Sequence, residues 1–231
     1  MRFAGMQKLT LLDVPGHTAC TLFTAGCNLR CPFCHNSILV PSDTDQPLDE
    51  ADILDFLTKR RGLLDGVCIT GGEPLMHPEL ETFLEKVRAL SSYYIKLDTN
   101  GTFPRQLRHL IDRNLLDMVA MDIKNTPEKY AMTCGLPDMR LDPVKESIEL
   151  LRDAPIEVEF RTTVMREVHT EEDLRRICTW TGGRRNYFLQ PFLSSPQVPD
   201  SSLSAYPVQE MEELVRNLQR DYPWVHLRGG D

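Results

Sequence analysis

Short apolar runs rich in β-branched residues recur along the chain at Ala19–Thr24, Gly66–Thr70, Tyr94–Asp98, Met118–Ile123, Ile156–Val164 and Asn186–Phe192, with a briefer one at Trp224–Arg228. Runs of this kind, bounded by turn residues, predict strands. Between them the apolar spacing changes to three and four. Leu80, Phe83, Leu84, Val87 and Leu90 share one helical face, as do Val144, Ile148 and Leu151. Thr170, followed three residues later by Asp173, reads as a capping box opening a helix through Ile177, and Gly182-Gly183 closes that region. Pro207-Val208 starts a last helix carrying Met211, Leu214, Val215 and Leu218. Strand then helix, repeated, predicts an α/β protein with a parallel sheet, either doubly wound or curled into a barrel. Both forms bind ligands beyond the carboxyl ends of their strands, so a site should follow strands.

Composition narrows the class. With 41% hydrophobic residues the 231-residue chain can build a large core, and it shows no low-complexity tract or linker, so one domain over residues 1–231 is expected. The formal charge is -8 with no basic cluster, which argues against nucleic acid. No apolar run reaches the roughly 18 residues of a membrane span. Met1 to Lys8 lacks the apolar stretch of a signal peptide. Of seven cysteines, an odd number, three crowd into one short loop, which points to a reducing cytoplasm and a metal or redox role.

That loop, residues 26–41, contains Cys27, Cys31 and Cys34 as Cys-x3-Cys-x2-Cys. Thiolates are soft ligands suited to iron–sulfur clusters or zinc. Three sulfurs can hold one face of a four-iron cluster and leave one iron open to a small molecule. A Cys3His zinc knot using His35 is the alternative, although residues as close as Cys34 and His35 rarely both reach one tetrahedral ion. A dithiol of Cys31 and Cys34 is a third reading, and it leaves Cys27 without a role. The spacing, with aromatic Phe33 just before the third cysteine, resembles the radical S-adenosylmethionine (SAM) enzymes. The resemblance implies a 4Fe–4S cluster held by Cys27, Cys31 and Cys34, with SAM chelating the open iron and Phe33, Cys34 and His35 facing its adenine.

Other segments fall where strands end. Gly71-Gly72-Glu73-Pro74 follows the second run; by itself it is a tight turn. Asp98-Thr99-Asn100-Gly101 ends the third, where Asn-Gly is a turn signal and Asp98 a candidate helix cap. Asp122-Ile123-Lys124 ends the fourth, and Arg161 lies on the fifth. An exposed Asp and Lys in such a place are commonly a surface pair. Together they resemble the glycyl-radical-enzyme activating branch of the same family. There the Gly71-Gly72-Glu73 turn implies a hold on the SAM amino group. Asp98, Thr99, Asp122, Ile123, Lys124 and Arg161 imply contacts to its carboxylate, to the rest of the cofactor and to an associated monovalent cation. Leu193 stands where relatives can place a histidine near the adenosine.

Asp13-Val14-Pro15-Gly16, with Cys34-His35-Asn36, is most similar to activating enzymes whose partner is anaerobic ribonucleoside-triphosphate reductase. The resemblance implies a radical SAM oxidoreductase of the anaerobic cytoplasm, fed by a one-electron donor such as flavodoxin. It would cleave SAM reductively and use the 5′-deoxyadenosyl radical to make a glycyl radical on the partner. Activation of pyruvate formate-lyase or another glycyl radical enzyme, small-molecule chemistry like that of the deazaguanine synthases, and a zinc-binding adaptor remain as alternatives. Six principal strands, in a chain shorter than the ~250 residues of a closed eight-stranded barrel, predict a partial (β/α)6 TIM-like barrel. Cys20, Cys68, Cys134 and Cys178 read as bystanders, and His17, His77, His109, His169 and His226 as structural or surface residues. Asp43, Asp45, Asp49 and Glu50 read as a solvated loop leading into a helix.

Overall fold

A computed structural model describes residues 1–42 and 47–229, so Asp43 and Asp45 of the acidic run lie outside the described residues. The protein is an α/β fold with a mostly parallel, open sheet. Its residues group into two compact units. Residues 1–28, 38–120 and 155–157 form the first; residues 29–37, 121–154 and 158 onward form the second.

The first unit contains β1 (Arg2–Phe3), β2 (Gly5–Thr10), β3 (Ala19–Thr24), β4 (Leu48–Asp49), α1 (Glu50–Lys59), β5 (Gly66–Gly71), α2 (Leu80–Leu90), β6 (Tyr94–Thr99) and α3 (Pro104–Asp112). β3, β5 and β6 pair in parallel, with Ala19 opposite Gly66 and Gly66 opposite Tyr94, so their carboxyl ends emerge together. The apolar runs are continuous because both faces of these strands are covered. Leu22, Val67, Ile69, Ile95 and Leu97 are fully buried, together with Ile53 and Leu57 of α1 and Phe83, Leu84 and Val87 of α2. β2 and α3 were not delimited by the sequence pattern. β2 runs antiparallel along the other edge of β3, with an irregular register between Gln7 and Thr10, and its exposed Gln7, Lys8 and Leu9 break any alternation. α3 opens on Pro104 and buries Leu107, Leu110 and Ile111.

β7 (Met118–Asp122) starts in the first unit and ends in the second. The second unit continues with α4 (Tyr130–Thr133), α5 (Asp142–Arg152), β8 (Glu157–Val164), α6 (Glu171–Thr181), β9 (Asn186–Pro191), α7 (Val208–Gln219) and β10 (Val225–Leu227). β8, β9 and β10 are parallel, with Phe160 opposite Tyr187 and Tyr187 opposite Val225. α6 has the expected capping box of Thr170 and Asp173, and Gly182 ends it in the left-handed conformation at φ +80°. Near the start of β8, buried Glu159 accepts two 2.6 Å bonds from Arg228, whose guanidinium lies 3.8 Å over the Phe188 ring. Among the described residues no helix is long and apolar enough to cross a membrane.

Candidate functional site at the strand ends

In the first unit the turn after β5 is locked to the segment that carries Cys27. Gly71 has φ +112°, and a Cβ there would lie 2.4 Å from the Thr24 backbone. A Cβ on Gly72 would lie 2.0 Å from the Gly26 carbonyl oxygen. Only glycines permit this approach. Across it Gly72 N–H donates to the Thr24 carbonyl (2.9 Å) and Glu73 N–H to that of Gly26 (2.8 Å). Gly26 N–H in turn donates to Leu39 and Cys27 N–H to Val40, which pins both ends of the loop base.

The Glu73 carboxylate is fully buried and joins two strand ends. One oxygen accepts from Leu75 N–H (3.1 Å) and the Thr99 hydroxyl (2.8 Å), the other from Asn100 N–H (2.7 Å). The Asn100 side chain carries the connection on. Its Nδ2 donates to Asn28 Oδ1 at 2.9 Å and reaches Cys27 Sγ at 3.9 Å. Asn28 Nδ2 donates to the Thr102 hydroxyl at 2.9 Å. Asp98 does not cap α3, which starts after Phe103; it accepts instead from the buried Lys96 ammonium at 2.8 Å. Asn28 and Asn100 were not singled out in the sequence as site residues. Asn100 had a weak signal as the Asn-Gly after a strand, and Asn28 had none.

The second unit holds the other two cysteines of the motif, with Cys34 N–H donating to the Cys31 carbonyl at 3.2 Å. Phe33 is buried among Met165, Phe192, Val198 and Leu203. The Lys124 ammonium lies 5.6 Å from the centre of its ring. His35 Nε2 sits 2.5 Å from the Leu193 carbonyl, and its ring lies 5.4 Å from that of Phe192. Leu193 thus meets this segment through its main chain, while its side chain is exposed.

Asp122 stands between two cations. One oxygen accepts from Arg161 Nε at 3.0 Å and the other from the Lys124 ammonium at 3.0 Å. Burial opposes its ionisation, but Arg161 and Lys124 outweigh burial and hold its pKa at about 2. Lys124 is raised above its ordinary value because Asp122 and Cys31 overcome the cost of burying its charge. Ile123 is buried, and its peptide is tied to β8: its N–H donates to the Arg161 carbonyl (2.7 Å) and its carbonyl accepts from the Thr162 hydroxyl (2.6 Å).

None of the seven cysteines is in a disulfide. A hydrogen bond from the Cys134 thiol lowers the Cys31 thiol; burial works against it, Lys124 works with it, and the pKa comes to about 7. Cys134, read from sequence as a bystander, is thus brought beside Cys31 by the fold. Burial pushes Cys34 up, and Cys20 and Cys178 to about 12. Among the described residues no three His, Cys, Asp or Glu side chains are gathered as a single metal ion needs. The donor chemistry nevertheless fits an iron–sulfur cluster: soft sulfurs at Cys-x3-Cys-x2-Cys spacing, one of them ionising near neutrality.

Residues 21–181 match the model of the Radical SAM superfamily. MJ1227 of Methanocaldococcus jannaschii, whose name describes a glycyl-radical enzyme activating enzyme, is 28% identical over 216 residues, 91% of this chain and 88% of the relative. The pyruvate formate-lyase-activating enzyme of Clostridium pasteurianum is 26% identical over 64% of this chain and 63% of its own length. A 7-carboxy-7-deazaguanine synthase of Hyperthermus butylicus is 37% identical, but over 36% of this chain and 35% of its own. Among solved structures, Streptococcus suis SuiB bound to precursor peptide SuiA has a TM-score of 0.72 at 13% identity. That likeness covers 90% of this chain and about half (48%) of SuiB, and it shows the fold.

Proposed function

The chain belongs to the radical SAM superfamily, and on that premise we propose that it activates a glycyl radical enzyme, with anaerobic ribonucleoside-triphosphate reductase as the partner. The observation that carries this reading is the extent of the similarity to MJ1227, 91% of this chain and 88% of that one. The match to the deazaguanine synthase, at 36% of this chain, gives the small-molecule alternative less support.

In this reading Cys27, Cys31 and Cys34 would hold a 4Fe–4S cluster, with SAM bound beside it. When bound, cluster and SAM supply one-electron cleavage to a 5′-deoxyadenosyl radical able to take hydrogen from a glycine Cα. The chain's own part is positioning and charge. The Gly71-Gly72 turn offers main-chain groups to the SAM ammonium. Glu73, with both oxygens engaged inside the chain, braces that turn against Thr99 and Asn100. Asp98 and Thr99, Asp122 and Ile123, with Lys124 and Arg161, serve the carboxylate end and a monovalent cation; Phe33, Cys34 and His35 serve the adenine. The electron comes from a one-electron donor such as flavodoxin, in the cytoplasm.

The test mixes reduced protein, SAM and each candidate partner under anaerobic conditions, with electron paramagnetic resonance as readout. A glycyl-radical signal on ribonucleotide reductase alone is the expected result. A signal on another glycyl radical enzyme alone moves the partner assignment. Deoxyadenosine without a radical on any partner overturns the activating function.

A further inference from the structure

Cys134 lies one hundred residues beyond Cys34, outside any metal-binding spacing, yet the fold brings it to Cys31. It follows directly on α4, fully buried, with its N–H donating to the Tyr130 carbonyl at 2.9 Å. Its own carbonyl accepts from Arg30 N–H at 3.0 Å, next to Cys31 in the chain. Gly135 follows at φ +70°, and a Cβ there would lie 2.1 Å from the Arg30 carbonyl oxygen. The backbone at 134–135 is therefore in direct contact with the backbone that leads into Cys31. No side chain can be added at 135 without separating the two. This seat sets the Cys134 side chain beside that of Cys31, with a hydrogen bond between the two sulfurs.

We propose that Cys134 is a positioning residue that sets the reduction potential of the cluster, by donating an S–H hydrogen bond to the ligand sulfur of Cys31. The inference rests on the reading that Cys31 is a cluster ligand. Reduction adds negative charge to the cluster, and part of that charge sits on its sulfurs. A donor aimed at a ligand sulfur stabilises the reduced form more than the oxidised one and raises the potential. Burial strengthens the effect, because no water can replace the donor.

The test compares wild type, Cys134→Ala, Cys134→Ser and Cys31→Ala, purified and reconstituted without oxygen. Iron and sulfide are measured first, then the midpoint potential, by a redox titration followed through the paramagnetic signal of the reduced cluster. Cys134→Ala is expected to keep wild-type iron and sulfide and to titrate at a more negative potential. Cys134→Ser, which keeps a donor, is expected to return towards wild type. Cys134→Val, close to cysteine in size but without a donor, gives the same reading if the alanine variant does not fold. An unchanged potential in a cluster-loaded Ala or Val variant overturns the proposal. So does loss of cluster from a folded Cys134→Ala, which would make Cys134 a ligand. Failure of the underlying reading looks different: wild type takes up no iron and sulfide, or Cys31→Ala keeps its full complement.

Discussion

The imidazole of His169 donates its Nε2 proton to the main-chain carbonyl of Lys124 across 2.9 Å, while its Nδ1 accepts from Met165 N–H at 3.2 Å. That pair of bonds requires a neutral ring, and burial keeps its pKa below the ordinary histidine value. A second proton would set two donors against each other at Met165. His169 thereby fixes the strand end that presents Lys124. Because the folded state disfavours the proton, the stability it contributes is complete above the unfolded value of ~6.5 and is lost as pH falls below it. Thermal melts from pH 8 to pH 5 should show this decline in wild type and a flatter profile in His169→Gln. An equal decline in both would remove His169 as its source.

Asp122 pairs with both Arg161 and Lys124. Asp122→Asn leaves these two cations facing a neutral amide and should cost about 2 kcal/mol at pH 7, below the cost of breaking a fully buried pair because the carboxylate is partly solvated. Its folded pKa of about 2 lies below the unfolded value, so its contribution is present above ~3.8 and fades as pH falls towards 2. Urea titrations should therefore separate wild type from variant at pH 7, narrow the gap by pH 3 and bring them together near pH 2. A gap that stays undiminished down to pH 2 would point to packing rather than charge.

Gly72→Ala forces a methyl group against the Gly26 carbonyl at 2.0 Å, and backbone must yield on one side. A loss of about 1–3 kcal/mol is expected, typical of overpacking, with weakened SAM binding. Gly5→Ala is the control, since a Cβ there meets nothing within 4 Å. Melting temperatures and SAM titrations of both variants decide the point; equal effects would mean that the close approach is unimportant.

Glu73→Gln places an amide in a site whose three donors now meet two carboxylate oxygens. At least one of these contacts then sets a donor against the amide NH2, at a cost of roughly 1–3 kcal/mol. The Asn100 amide, protected in wild type by its 2.7 Å bond to Glu73, should exchange with deuterium at least tenfold faster. Unchanged protection at Asn100 would show that Glu73 does not brace this turn.

The strands were legible because buried parallel strands are written as contiguous apolar runs, and Ala19–Thr24 coincides with β3 to the residue. The cysteine loop and the paired glycines were legible because their chemistry is local in sequence. Asn100, Cys134 and His169 were not. Asn100 meets Asn28 across 72 positions and His169 meets Lys124 across 45, and no spacing rule spans such distances. Cys134 read as a bystander; only the fold seats it against the backbone that leads into Cys31. β2 escaped because it contributes one buried residue, Thr10, to its own pattern.

That edge strand has a consequence for how copies of the protein meet. β3 is bonded to β5 along one side and to β2 along the other. Removal of residues 1–10 would bare the outer amides and carbonyls of an apolar strand, a ready template for a strand from another molecule. The exposed Gln7 and Lys8 now facing that side are poor material for such stacking. A preparation shortened at its N-terminus should therefore precipitate at concentrations the whole chain tolerates, before any loss of chemistry is seen.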